Sequence, residues 1–244
     1  MRKMRLLSLL LSLALLGCET TPLTGEGEAV VVAHGLNRTR ASMAILAQRL
    51  EWAGYRVESV GYDSRGASFT EQIETLATAV DRCCADEPVI HFVGHSLGAI
   101  VIRGYLAETR PQGLGRVVLL APPNQGSLFV EWLGEMPGGP EALGTVGATL
   151  GTDSTDLPAT LPTPDYEMGI IAGSRSVQPI GPLAIPGPDD GIVSVEQARV
   201  EGVPMLVLPR SHYLIMNSRH TAEAVIRFLR TGSFEGAARR RADG

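Results

Sequence analysis

The sequence predicts an α/β fold, a mostly parallel sheet with helices on both faces. Short apolar runs of five or six residues recur at 29–33 (AVVVA), 89–93 (VIHFV) and 116–121 (RVVLLA). Runs of this kind, bounded by turn signals, are strands buried on both faces. Between them lie stretches with apolar residues at helical spacing, and strands alternating with helices make a parallel sheet. A chain of 244 residues, 44% apolar, is ample for one full hydrophobic core and excludes a disordered tail protein. The net charge of −5 excludes a general nucleic-acid binder, which would carry a basic face.

Residues 1–17 read as an address. Arg2, Lys3 and Arg5 precede eleven residues of Leu, Ser and Ala at 6–16. That is about half of the ~20 residues a spanning helix needs, and it matches the core of a secretory signal peptide. The following Leu15-Leu16-Gly17-Cys18 resembles the bacterial lipobox. That resemblance implies that Cys18 is lipid-modified and becomes the first residue of the mature chain. Cleavage there removes three basic residues and no acidic one, leaving 18 basic against 26 acidic and a net charge of −8. An acidic body has no polybasic patch for anionic lipid, so the anchor would be the acyl chains. Residues 18–28 are expected as a polar tether. Glu19 is not the aspartate that favours inner-membrane retention in the resembling lipoproteins. The expected location is the cell envelope, on the outer membrane facing the periplasm.

The body is expected over 29–233. Strand 29–33 leads to a helix at 39–52, with Met43, Leu46, Ala47 and Leu50 on one face and Gly54 closing it. Strand 56–62 precedes a helix at 68–82 with Ile73, Leu76 and Val80 aligned. Strand 89–93 runs through a tight turn into a helix at 97–108, and strand 116–121 follows. Segment 122–167 is rich in Gly, Pro and Thr, shows only weak helical periodicity, and is expected as a lid-like insertion. Strands at 169–172 and 204–208, a closing helix at 217–229 and a flexible tail at 234–244 complete the chain. Cys83 and Cys84 are adjacent, and a ring closed between neighbours is strained, so two free thiols are expected.

The chemistry is concentrated in Gly94-His95-Ser96-Leu97-Gly98, a G-x-S-x-G sequence between a predicted strand and a predicted helix. A serine hydroxyl is a weak nucleophile unless it is exposed beside a base and its developing charge meets donors. A sharp turn exposes it, and glycines two residues to either side let strand and helix pack closely. With these residues, HFVGHSLGAIVIRGYL, APPNQGS and GPDDGIVSVE, the chain resembles the α/β-hydrolase family. Within that family it is similar to the lid-poor bacterial lipases and esterases whose sheet is shortened at the N-terminus. The resemblance covers about residues 29–233.

The family's triad runs Ser, acid, His along the chain. His34, His91 and His95 lie ahead of Ser96. His212 follows strand 204–208 by a short loop, which puts it at a strand's carboxyl end, where ligands bind in open α/β sheets. The HYLIM run beginning at His212 resembles the sequence at the catalytic histidine of the related lipases. His220 is expected inside the closing helix, away from the strand edge. Pro188-Asp189-Asp190-Gly191-Ile192-Val193 supplies the acid. The family's D-x-x-V pattern selects Asp190, with Asp189 the alternative, otherwise a turn residue. The resemblance also nominates the backbone N–H groups of Leu36, in the His34-Gly35-Leu36 loop, and of Leu97 as oxyanion donors.

The expected activity is cleavage of carboxylic acyl esters through an acyl-enzyme, with no metal or organic cofactor implied. Acyl transfer or thioester hydrolysis by the same residues is the alternative within enzymes. A non-catalytic, envelope-binding lipoprotein is the alternative outside them. Leu128, Phe129, Trp132, Leu133 and Met136 line an acyl pocket or pack the insertion down. No oligomeric state follows from the sequence.

Overall fold

Strand β1 (Ala29–Ala33) is buried at every position and sits inside the sheet, flanked by β2 (Arg56–Val60) and β3 (Ile90–His95). The structure is a computed structural model describing residues 27–177 and 185–236. Cys18, the signal sequence and most of the tether and tail lie outside the described residues. Continuing in chain order are β4 (Leu114–Leu120), β5 (Met168–Gly173) and β6 (Met205–Leu208). The sheet order is β2-β1-β3-β4-β5-β6, and every pairing is parallel.

Alternation along β1 explains the two layers. Val30 and Val32 face a core shared with α1 (Ala44–Trp52) and α7 (Arg219–Thr231). Ala29, Val31 and Ala33 face a core shared with α2 (Phe69–Cys84) and α3 (Leu97–Glu108). A strand with apolar surface on both sides reads as an unbroken apolar run because neither face meets water. Helix α2 begins with a capping box: the Ser68 hydroxyl accepts from Glu71 N–H, and the Glu71 carboxylate accepts from Ser68 N–H. A 3₁₀ turn (Arg40–Met43) leads into α1, and another (Ile215–Asn217) precedes α7.

The topology creates the site. From β1 the chain moves outward to β2; from β3 it moves the other way, to β4. The loops leaving the carboxyl ends of these neighbouring strands therefore diverge, and a crevice opens between them at the switch point.

The segment expected to be lid-like, 122–167, holds three short helices among loops: α4 (Leu128–Gly134), α5 (Gly139–Gly147, kinked at Gly144) and α6 (Leu157–Thr160). These helices span seven, nine and four residues, too few turns for a periodic signal. Their termini carry the local signals instead. The Ser127 hydroxyl caps α4, and Pro140 and Pro158 stand at the starts of α5 and α6, where a missing N–H costs nothing. One expectation is corrected: Cys83 and Cys84 are joined in a disulfide across one peptide unit, with Cα atoms 3.7 Å apart. The expectation of free thiols weighed only the cost of the ring. In the fold the pair closes α2, with Cys84 buried in the α2–α3 core and Cys83 packed at its rim.

Among the described residues, no helix is long and apolar enough to cross a membrane. The geometry makes Gly98 a sensitive position: a Cβ there would lie 2.5 Å from the carbonyl oxygens of both Ala33 and His34. These are backbone atoms, so α3 or β1 has to move. Gly98→Ala is expected to lower unfolding stability by about 1–3 kcal/mol. Urea denaturation measures this, and a midpoint equal to that of the unmodified chain would refute the packing described.

Candidate active site

Ser96 stands between β3 and α3 with φ 54° and ψ −122°, in the left-handed half of backbone space. For a residue with a side chain such a conformation costs about 1–3 kcal/mol and persists only where the surroundings impose it. Here they do. Ser96 N–H donates to Leu120 O of β4, and Ser96 O accepts from Ala99 N–H at the start of α3. Gly94 permits the close approach, since a Cβ on it would lie 2.6 Å from Ala99 Cα. The Ser96 hydroxyl makes no cap to its own helix. It lies 2.9 Å from His212 Nε2.

His212 reaches this position from the loop after β6. Its N–H donates to Asp190 O at 2.9 Å, and its Nδ1 lies 2.9 Å from Asp190 Oδ2. The other carboxylate oxygen, Oδ1, accepts from Ile192 N–H at 3.0 Å and Val193 N–H at 2.8 Å. That bond is the physical content of the D-x-x-V spacing: the valine's amide holds the aspartate. With the carboxylate accepting throughout, Nδ1 carries the proton, Nε2 is left as an acceptor, and Ser96 O–H donates to it. All three side chains are buried: Ser96 is 8% exposed, His212 5% and Asp190 1%. Water therefore competes little for these bonds.

Asp189 is turned elsewhere. Its Oδ1 accepts from Gly191 N–H at 2.7 Å, an Asx turn. Burial raises its pKa, the Gly191 bond lowers it, and the neighbouring Asp190 raises it again.

The loop after β1 forms the opposite wall. A Cβ on Gly35 would lie 2.9 Å from His95 Nδ1 and 3.1 Å from Ser96 Cβ, so this loop passes directly against Ser96. Leu36 follows Gly35, which lies against Ser96, and Leu97, the first residue of α3, follows Ser96 in the chain. The Leu36 side chain packs where Gly147 of α5 has none; a Cβ there would come within 2.7 Å of Leu36 Cδ2. Asn37, with φ 56°, donates from Nδ2 to Ala142 O of α5. The insertion is thus docked on this loop. Leu133 packs on the α2–α3 core, while Leu128, Phe129, Trp132 and Met136 are half-buried.

The remaining histidines are placed structurally. His34 stacks on Tyr62 at 4.3 Å, and Tyr62 O–H donates to His34 O. His91 Nδ1 accepts from Arg116 N–H, with Nε2 3.0 Å from Glu28. His220 is exposed in the first turn of α7, beside Arg210. His95 was singled out only for its order in the chain, yet its Nε2–H donates to His212 O at 3.0 Å and its ring lies 4.8 Å from the His212 ring. Two further contacts were not read from the sequence. Ser127 O–H donates to Ile192 O at 2.6 Å, tying the cap of α4 to the Asp190 loop. Asn124 Nδ2 donates to Ala198 O and its Oδ1 accepts from the buried Arg103. The only sequence signal for either was the APPNQGS run, which carried no role.

Two cavities lie elsewhere. One, of about 430 Å³, opens at the amino ends of the strands beside His91 and Arg116. The other, of about 850 Å³, runs along β2 and α2 with His34 and Tyr62 among its lining residues. Among the described residues, no cluster of three or more His, Cys, Asp or Glu side chains is arranged to hold a metal.

No protein-family model and no curated protein matches the chain. Solved structures do. The mature Bacillus licheniformis lipase BlEst2 aligns over 87% of this chain and 94% of its own, with a TM-score of 0.67 and 16% identity. Phospholipase PlaB from Legionella pneumophila aligns over 84% of this chain, with a TM-score of 0.70 and 17% identity; the chain spans 60% of PlaB. The esterase EaEST from Exiguobacterium antarcticum aligns over 85% of this chain and 94% of its own, with a TM-score of 0.57 and 17% identity. The fold is the α/β-hydrolase fold.

Burial, then the adjacent His212, hold the His95 imidazole well below its ordinary value of 6.5, and burial lowers His34 as well. Both are neutral in the fold but take up protons in the unfolded chain as pH falls through 6.5. The unfolded state then binds more protons, so stability is present above that pH and is lost below it. The urea midpoint is expected to drop from about pH 7 to about pH 5, with a smaller drop in His95→Gln. An undiminished drop in that variant would remove His95 from the account.

Proposed function

We propose that the protein is a serine hydrolase that cleaves carboxylic acyl esters. The observation that carries this is the continuous hydrogen-bonded line from Asp190 through His212 to the Ser96 hydroxyl, at 2.9 Å for each link. The fold shared with a lipase, a phospholipase and an esterase supports the same class.

Ser96 Oγ attacks the acyl carbon while His212 Nε2 takes its proton. Asp190 keeps the imidazole in the tautomer that can accept and stabilises the imidazolium that forms. The negative charge on the carbonyl oxygen is met by the Leu36 and Leu97 N–H groups, each worth ~2.7–4 kcal/mol in sites of this type. When the tetrahedral centre collapses, His212 returns the proton to the departing alcohol. Water enters by the same path in reverse, and the acid leaves.

We propose also that Cys18 is lipidated and holds the domain on the outer membrane, facing the periplasm. The support is the order of cationic start, short apolar core, Gly17 and Cys18. Gly27, in the tether, packs against Gly54 at the amino ends of the strands, the sheet edge opposite Ser96.

Ser96→Ala and His212→Ala are each expected to lower kcat for ester hydrolysis by ~10⁴-fold or more, and the double variant little further, because the residues act as a unit. Covalent labelling by a fluorophosphonate is expected to vanish in Ser96→Ala. Labelling that persists in that variant would refute the nucleophile, and a folded chain that neither labels nor hydrolyses would be a binding protein. Asp190→Asn is expected to cost more than Asp189→Asn; the reverse order moves the acid by one residue.

Cys18→Ser is expected to release the protein from membranes or stall it as a precursor, with activity on soluble short-chain esters retained. Mass spectrometry of the mature N-terminus checks this, and an unacylated first residue would replace anchoring with simple secretion.

A further inference from the structure

One charged side chain on the loop after β1 is neither part of the proposed chemistry nor paired. The Arg38 guanidinium carbon lies 5.2 Å from the centroid of the Tyr213 ring. Tyr213 follows His212, and the two rings meet edge to face at 6.0 Å. Among the described residues, Arg38 has no ion pair and its side chain makes no hydrogen bond. Arg210 is committed to Ser218, Pro209 O and His220, and Arg65 to the backbone of α5; Arg40, also without a bond or ion pair among the described residues, lies against Gly61 and lines the cavity along β2 and α2 instead. The nearby carboxylates are committed too, Asp190 to Ile192, Val193 and His212, and Asp189 to Gly191.

Stacking on an aromatic ring occupies the face of a guanidinium and leaves its in-plane N–H fork unspent. The ring also fixes the group in place, so a ligand that bonds to the fork pays less to order it. The charge is felt beside Ser96: after burial and His212, Arg38 is among the groups that hold His95 below its ordinary value.

The chemistry decides which part of a substrate meets this group. His212 takes the Ser96 proton and delivers it to the leaving oxygen, so the leaving alcohol lies on the His212 side of the acyl carbon. Tyr213 meets the His212 ring edge to face and carries Arg38 on its own face, which sets both beside the base. We propose that Arg38, seated on Tyr213, binds an anion on the alcohol portion of the substrate, making the preferred substrates acyl esters of alcohols that bear a phosphate or a carboxylate. This inference rests on the reading of Ser96 and His212 as nucleophile and base.

The test uses three phenyl butyrates that differ at the para position: a carboxylate, a phosphate ester and, as the neutral isostere, a carboxamide. Read as kcat/KM within each protein, the ratio of either anionic ester to the carboxamide is expected to exceed that of Arg38→Gln by about ten-fold or more. The difference should sit mainly in KM, shrink with added salt and widen in Arg38→Glu. Whichever anion gives the larger ratio in the unmodified protein identifies the group recognised. Ratios that are the same in the unmodified protein and in Arg38→Gln overturn the inference while leaving ester hydrolysis standing. Failure of the unmodified protein to cleave any of the three overturns the hydrolase reading, and this inference with it.

Discussion

The left-handed turn at Ser96 is the constraint on which the rest of the structure depends. A residue with a Cβ is held there because β3 and α3 are both buried and both anchored, β3 between β1 and β4, and α3 against β1 and α2. Every relaxation of the turn would have to move one of them. The turn exists at its observed tightness because Gly94 faces Ala99 and Gly98 faces the end of β1. Its consequence is that a hydroxyl projects from the sheet edge free of the helix it precedes, and so is available to His212.

Such a hydroxyl gains nothing unless its partners are equally fixed, and these partners are buried polar groups that cost free energy if left unpaired. The Asp190 loop answers this with backbone amides. Asp190 accepts from two of them, and Ser127 ties the carbonyl of Ile192 to the cap of α4. Gly173, at the end of β5, leaves room for the loop; a Cβ there would lie 2.7 Å from Asp190 Cβ. His95 performs the matching task for His212 by donating to its carbonyl. Burial keeps that imidazole neutral, so it adds no positive charge beside the imidazolium formed in the proposed reaction.

The parts legible in the sequence are those whose signal is local. β1 and α3 are read from continuous apolar character and from the G-x-S-x-G turn, because both lie in the interior and every position reports burial. The edge strands are shorter than expected, with β2 ending at Val60 and β6 carrying an exposed Val207, since half-solvated strands mix apolar and polar residues. The histidine and the aspartate brought to Ser96 were also marked by local context: a strand end for one, the D-x-x-V pattern of the resembling family for the other. What fixes them was not legible. The bond from His95 to His212 joins residues 117 apart, and that from Ser127 to Ile192 joins residues 65 apart. No short pattern encodes such a pair; only the folded topology does. The disulfide escaped for a related reason, since its cost is visible in the sequence but the buried contacts of its sulfurs are not.

The insertion follows from the same logic of divergent loops. The loop leaving β1 has no regular structure of its own to fix Leu36, and α5 supplies the support. Asn37 bonds to Ala142 O, Leu36 fills the space above Gly147, and Thr145 N–H donates to Arg65 O on the loop after β2. On the far side, Arg103 of α3 is buried, has no carboxylate partner among the described residues, and donates to Asn124 and to Pro162 O, so the cation pins the end of the insertion to the helix that follows Ser96. Burial lowers its pKa, and the carbonyl oxygens around it are what make a charge tolerable there. Hydrogen bonds at about 0.5–1.5 kcal/mol each, more for the charged ones, act here together with the packing of Leu36. An outward swing of the whole insertion would break them at once and would withdraw the support of the Leu36 loop in the same movement. In the observed arrangement the insertion is thus held by the loops after β1 and β2 on one side and by α3 on the other.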